Sequence, residues 1–277
     1  MVKISVVIPN YNGRKLLEKN LPIVIKATRG CEVIVVDDAS DDDSVEFLKT
    51  HFPEVKVLTS SKNRGFSSTV NYGFEKAEGE LILLLNTDVY PKARFMEPLL
   101  SYFKDPAVFG VGLIQESREK EGVILRGRGL GEFRRGFLVH WKGEADKKDT
   151  LWISAGAGIF RKNLWIKLGG LDEKYNPFYW EDIDLSWRAV KKGYKIYFEF
   201  QSKVVHEQKE GSIRNKYTPD QIKRIAYRNQ FYFIRKNFNN PIGLLRHYLW
   251  LPYHFLKAVK RGDWAFFRGF LDSFNLS

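Results

Sequence analysis

Three acidic stations and one late histidine carry most of the chemistry this chain could do. Residues 81–88 read Leu-Ile-Leu-Leu-Leu-Asn-Thr-Asp, five aliphatics running straight into Asn86, Thr87 and Asp88. An apolar run of that length, followed by Pro91, predicts a strand buried on both faces. Open α/β sheets place ligands outside the carboxyl ends of their strands. Asp88 is therefore set where a carboxylate can hold a cation and, through it, a phosphorylated substrate; the plain alternative is a polar cap on a strand end. Asp37-Asp38-Ala39-Ser40 closes another apolar run. Two acids there can accept hydrogen bonds from a base edge and a ribose, or simply cap a helix.

Trp180-Glu181-Asp182-Ile183-Asp184-Leu185 opens a predicted helix ending near Lys192. Acids at a helix start complement the macrodipole, and one of them could also serve as general base toward an acceptor hydroxyl. Trp180 offers a flat face for a sugar ring. Asp184 and Arg188, four apart, can pair on the helix. In Asn63-Arg64-Gly65-Phe66 the glycine allows close backbone approach and the arginine can face a phosphate or a base, or be merely solvated. Val204-Val205-His206 reads first as strand packing. His206 becomes chemical only as a partner for Asp88, since neutral imidazole is a common ligand for transition metals.

These residues need rigid carriers. Strands are expected at 3–8, 32–36, 55–58 and 81–85, alternating with helices at 14–28, 44–50 and 67–77. That alternation predicts parallel βαβ units, hence an α/β chain with a mostly parallel doubly wound sheet and helices on both faces. Residues 116–150, rich in Gly, Arg and Lys, read as an irregular, mobile excursion over the site. Structure resumes at Leu151, with a further strand at 193–198. Thr218, Pro219 and Gln221 spell a capped helix start; that helix should run to about Phe238, with others at 242–260 and 264–274.

The chain has 277 residues and a net charge of +12. From Ser212 onward 12 Lys and Arg face 3 Asp, and 15 of the 41 aromatics lie there, so a composition break falls near residues 211 and 212. The single cysteine, Cys31, excludes an internal disulfide and fits a reducing compartment. The N-terminus lacks the pattern of a signal peptide, and no window is long and apolar enough to span a membrane. A cytoplasmic protein is expected, peripheral on the cytoplasmic face of the membrane if the tail binds lipid.

Taken in order, Val-Val-Ile-Pro-Asn-Tyr-Asn, Val-Val-Asp-Asp-Ala-Ser, Asn-Arg-Gly-Phe, Leu-Asn-Thr-Asp, Trp-Glu-Asp-Ile-Asp-Leu and the late histidine resemble the family-2 inverting glycosyltransferases, the rhamnosyltransferase-like members in particular. The resemblance covers roughly residues 3–238 and rests on the order of the motifs. It implies a GT-A fold over 1–211, with a nucleotide-binding half at about 1–90 and an acceptor half at about 91–211, followed by a helical extension at 212–277. It implies that Pro9 and Tyr11, with Asn10 and Asn12 in the same loop, line the nucleotide. Asp38 would contact the uracil or thymine ring, Asp37 would support it, and Arg64 and Gly65 would lie under the nucleoside. Asp88 and His206 would bind Mg2+ or Mn2+ beside the diphosphate, with Thr87 and Asn86 alongside; Asn86 stands where many relatives have Asp. Asp182 would be the general base, with Glu181 as fallback. The Gln-any-any-Arg-Trp signature of processive polymerising members is missing.

The implied partners are a nucleotide-diphosphate sugar donor and a glycan or lipid-linked acceptor, in cell-surface polysaccharide synthesis. The alternatives are a sugar-1-phosphate nucleotidyltransferase, whose Gly-rich N-terminal loop is missing from residues 9–13, and a non-catalytic nucleotide- or membrane-binding module. For the basic, aromatic tail three readings stand: helices packed on the core, an interfacial contact with anionic membrane, or nucleic-acid binding. No nucleic-acid motif accompanies it, so nucleic acid is not expected as a partner.

Overall fold

The computed structural model describes residues 2–119, 122–207, 216–238 and 240–276. The expected βαβ units form. β1 (Ile4–Asn10), β2 (Glu32–Asp37), β3 (Lys56–Thr59) and β4 (Leu81–Leu85) alternate with α1 (Arg14–Ala27), α2 (Ser44–His51) and α3 (Phe66–Lys76). The strands pair in parallel in the order β3-β2-β1-β4. Both faces are covered, as their unbroken apolar runs require. Val6, Ile8, Leu81, Leu83 and Leu85 pack under Leu17 and Leu21 of α1 and Leu48 of α2. Val7, Ile34, Val36, Ile82 and Leu84 face Val70 and Phe74 of α3. The two-residue period of a strand thus divides one apolar run between two cores.

Beyond β4 come β5 (Val89–Pro91), a single-turn helix α4 (Glu97–Leu100) and the long β6 (Val108–Glu119). β10 (Ala157–Arg161) lies antiparallel between β4 and β6, and β11 (Lys195–His206) runs parallel to β6 and antiparallel to β5. The doubly wound, mostly parallel sheet is therefore present with β10 reversed. α5 (Lys162–Lys167) and α6 (Glu181–Lys191) cover its second half. The strand expected at 193–198 and the one expected before His206 are one element, interrupted by a register shift between Glu199 and Lys203.

The excursion expected at 116–150 is not irregular. It forms two hairpins, β6–β7 (β7, Gly122–Arg126) and β8–β9 (Gly129–Arg134 and Phe137–Lys142). These strands have no buried face of regular period: β7 is largely exposed and β9 buries only Phe137 and Leu138. Their apolar alternation is therefore too thin to separate from loop composition.

Three helices close the chain, α7 (Pro219–Asn237), α8 (Pro241–Lys260) and α9 (Trp264–Asp272). Thr218 and Gln221 form the expected capping box on α7. α7 is core: Phe231, Phe233 and Ile234 are fully buried in a third cluster with Tyr175, Trp180 and Ile183. α8 buries only His247, Leu251 and Ala258. The expected boundary at residues 211 and 212 lies outside the described residues. Among the described residues no helix is long and apolar enough to cross a membrane.

Candidate functional site

A cleft of about 400 Å³ opens at the carboxyl ends of β1, β2 and β4, the rim on which Asp38 and Asp88 were placed. Its wall brings together Pro9, Asn10, Tyr11, Asp38, Gly65, Asn86, Thr87, Asp88, Glu181, Asp182 and His206 from the expected set. Asn12, Asp37, Arg64 and Trp180 lie outside it.

The rim is built by side chains tying strand ends together. Asp37 is buried and accepts from Asn10 Nδ2 at 2.7 Å and from Ser40 Oγ at 2.6 Å. Asn12 holds the same corner, its Oδ1 accepting from the Asp41 amide at 2.7 Å. These two residues shape the loop instead of lining the cleft. Asp38 lines it, but each of its oxygens accepts a backbone amide, from Arg64 and from Gly65, both at 2.8 Å. Its first task is thus to fix the 63–65 loop.

Arg64 does not face the cleft. Its amide is held by Asp38 and its carbonyl by Asn176 Nδ2, which leaves the guanidinium outside, 3.9 Å from Glu173. Gly65 has φ +85, and a Cβ there would come 2.7 Å from Asn176 Cγ, so both conformation and space demand glycine. Trp180 departs from expectation as well. Its indole is buried against His140 and Phe233, so it offers no sugar platform; Tyr179 lines the cleft instead.

Asp88 and His206 meet although 118 positions separate them, because β11 pairs with β5 and places His206 opposite Val89. The Glu207 amide donates to the Asp88 carbonyl at 2.9 Å, locking the register. His206 Nε2 lies 3.2 Å from Asp88 Oδ2. Its Nδ1 lies 2.7 Å from Gln115 Oε1, which can only accept, so Nδ1 carries the proton and Nε2 is left facing the carboxylate. Nearby in the wall, the Asn86 Oδ1 is buried without a hydrogen-bond partner among the described residues. A carboxylate oxygen, an imidazole nitrogen and an orphaned amide oxygen form a donor set that fits a divalent cation. The described residues contain no group of three or more His, Cys, Asp or Glu around one point, so such an ion would need further oxygens from its substrate.

Glu181 and Asp182 begin α6. Trp180 before them has φ 77 and Tyr179 φ 72, left-handed values that non-glycine residues adopt only when the surroundings impose them. Asn229 of α7 imposes them, donating to the carbonyls of Tyr175, Phe178 and Tyr179 at 2.8 to 2.9 Å. Asp182 accepts from the amides of Ile183 and Ala155. Burial outweighs these bonds and pushes its carboxyl up to about 6. Glu181 is pushed well above the carboxylate range, first by burial and then by the neighbouring Asp182 charge, and its Oε2 has no hydrogen-bond partner among the described residues.

Several residues that shape this site carried no usable signal. Asn176 accepts from the Ser67 amide and donates to the Arg64 carbonyl, stapling the 175–179 loop to the 63–67 loop; an Asn-Pro pair marks a turn but not its partner. Gln115 opens the polar second half of β6, where nothing marks it apart from Glu116 and Ser117. Lys216 stands 4.6 Å from the Tyr11 ring and, with Tyr217, lines the cleft.

A family model described as Glycosyl transferase family 2 matches residues 5–161. A pre-mycofactocin glycosyltransferase of Mycobacterium tuberculosis is 28% identical over 213 residues, 74% of this chain and 42% of that protein. An N-acetylglucosaminyl-diphospho-decaprenol L-rhamnosyltransferase of the same organism is 24% identical over 249 residues, 76% of this chain and 78% of the relative. The chain thus spans less than half the length of the first of these relatives. The crystal structure of GalNAc-T7 with UDP, GalNAc and Mn2+ superposes with a TM-score of 0.69 over 85% of this chain and 48% of that one; at 17% identity this is a likeness of fold.

Proposed function

Because the chain belongs to glycosyl transferase family 2, we propose that its GT-A cleft transfers a sugar from a nucleotide-diphosphate sugar to a glycan or lipid-linked hydroxyl, with inversion. The family match sets this reading above the nucleotidyltransferase and the non-catalytic module. One observation carries it: a single cleft joins the Asp88–His206 pair, separated by 3.2 Å, to a carboxyl at Asp182 whose proton affinity is tuned to about 6.

In this reading the nucleoside lies between Pro9 and Tyr11 on one side and the 63–65 loop on the other. Asp38 keeps that loop in place. The diphosphate lies at Asp88 and His206, with Lys216 as a further cation on the wall. Asp88 and His206, with Asn86 beside them, would hold a divalent cation, Mg2+ or Mn2+, which would supply charge stabilisation for the leaving diphosphate. The acceptor oxygen attacks the anomeric carbon from the face opposite the diphosphate. Its proton passes to Asp182 as the carbon–oxygen bond to phosphate breaks and the nucleoside diphosphate leaves. One displacement inverts the centre and leaves no sugar on the protein. The nucleotide-binding half is about 1–90 and the acceptor half about 91–211. The place of action is the cytoplasmic side of a membrane, with the 212–277 extension in peripheral contact through its helices beyond the buried α7; one relative's decaprenol-linked acceptor supports a membrane site.

Calorimetric titration of nucleoside diphosphates with and without Mn2+ tests the ligand site. Affinity should depend on the metal and fall in Asp88→Ala; unchanged affinity in that variant would overturn the assignment. The anomeric configuration of the product, read by NMR, tests the stereochemistry, and retention would refute the single displacement.

A further inference from the structure

The outward face of α8 has the composition of a lipid-facing helix. Ile242, Leu245, Leu249 and Leu256 recur at helical spacing and are 66%, 58%, 68% and 65% exposed, while the opposite side, His247, Leu251 and Ala258, is buried. Four large aliphatics left in water along one ridge are not a normal surface. Arg246 and Lys257 flank the ridge, Lys260 and Arg261 end it, and α8 contains no acidic residue. Exposed Tyr248, Trp250 and Tyr253 border it, the aromatic type that settles at a membrane–water interface.

The β8–β9 hairpin adds to this face. Its tip residue Arg135 lies over the rings of Tyr253 and Trp250, at 4.6 and 5.6 Å, and its carbonyl is bonded by His254. The neighbouring Gly136 carbonyl is bonded by His247. The helix and the hairpin tip therefore form one surface, with exposed Arg134, 3.9 Å from exposed Glu132, at its edge. Trp264, 61% exposed at the head of α9, extends it.

We infer that this surface, the α8 ridge with the β8–β9 tip, seats the protein on a bilayer rich in anionic lipid. The inference rests on the reading of a lipid-linked acceptor given above and names the face that meets the membrane. Charge decides the occupant. A second copy in an isologous pairing would bring Arg246, Lys257 and Lys260 against their own kind with no acid on α8 to oppose them. A nucleic acid would match the cations and leave the aliphatic ridge wet. An anionic headgroup layer over acyl chains satisfies both, with the leucines below the headgroups and the basic side chains snorkelling to them.

The test uses the full chain and sedimentation with phosphatidylglycerol–phosphatidylcholine vesicles against pure phosphatidylcholine. The parent should partition to the anionic vesicles and be released by salt. Leu245→Glu, Leu249→Glu and Leu256→Glu combined should lower partitioning at least about tenfold, and Arg246→Glu with Lys257→Glu should remove the preference for anionic lipid. All the substituted side chains are exposed, so thermal melts and nucleotide binding should match the parent. Equal partitioning of parent and triple variant would overturn the inference. So would a dimer, seen by sedimentation velocity, that the same substitutions dissociate. Nucleotide binding is read separately: its loss in the parent refutes the transferase reading, whereas its persistence without vesicle binding refutes only this surface.

Discussion

Glu181 and Asp182 are adjacent carboxyls in the first turn of one helix, and the helix dipole favours ionisation of both. Burial overrides it unequally. Asp182 is half-buried and holds two backbone amides, so its carboxyl reaches about 6 and is ionised at neutral pH. Glu181 is deeper and is opposed by the Asp182 charge, and both hold its carboxyl well above the ordinary glutamate value. Two consequences are measurable. The kcat/KM of transfer should fall below about pH 6, because the base is lost as Asp182 takes its proton; a limb near the ordinary aspartate value would remove Asp182 from that role. Asp182→Asn should lower kcat by about 100- to 10,000-fold with nucleotide affinity intact, while Glu181→Gln, at the carboxyl whose ionisation burial opposes more strongly, should cost far less. Gly65 gives a stability prediction at the same scale. Gly65→Ala sets a side chain at φ +85 against Asn176 and should destabilise the fold by about 1–3 kcal/mol, seen as a lower urea midpoint.

At the scale of elements, the first part of the sheet was legible because β1, β2 and β4 are buried almost throughout, and their unbroken apolar runs announce both the strands and their carboxyl ends. The part of the chain beyond β4 was less so. The β7–β9 hairpins bury little and look like loop, and Trp180 reads as a platform in a hexapeptide whose neighbours across the chain are invisible. What places Trp180 inside is α7, more than 35 residues later, through Phe233 and through Asn229. The same gap hid Gln115 and Asn176, whose partners are set by strand register and loop docking. Asn229 is the element-scale test. Asn229→Ala removes the side-chain donor of the Phe178 and Tyr179 carbonyls, while the Tyr175 carbonyl keeps only Arg228 Nη2 at 3.4 Å, and should cost about 1–3 kcal/mol of stability. Because Pro177, Phe178 and Tyr179 line the cleft beside Glu181 and Asp182, kcat of the proposed transfer should fall more than nucleotide affinity does. Parallel losses of both would make Asn229 merely structural.

Across the whole molecule, the basic and aromatic tail divides into two physical roles that composition alone cannot separate. α7 is an interior helix: Asp184 of α6, fully buried, is bonded by Arg188 at 2.7 Å, Lys236 at 2.9 Å and Asn237 at 2.8 Å, two of these from α7. α9 closes over it, with Phe266 and Phe270 at 5.2 and 5.0 Å from Phe231 and with Arg224 bonded to Asp272 at 2.7 Å. α8 lies between them in sequence and keeps one face wet. The site is therefore held from both ends of the chain: β1 supplies one wall, and α7 holds the loop that forms another. A chain ending after Asn240 should suffer beyond any loss of lipid binding. It strips Leu251 and Phe266 from the third cluster, each worth about 1.5–3 kcal/mol when buried, and opens Phe231 to water. The shortened protein should unfold at a clearly lower urea concentration, and its Asp182 side should lose order before β1–β4, since α7 loses its cover while β1–β4 do not. Hydrogen exchange would read this directly: faster exchange in α6 and α7 with β1, β2 and β4 unchanged is the expected pattern. Unaltered protection throughout would show that α7 holds α6 without α8 and α9.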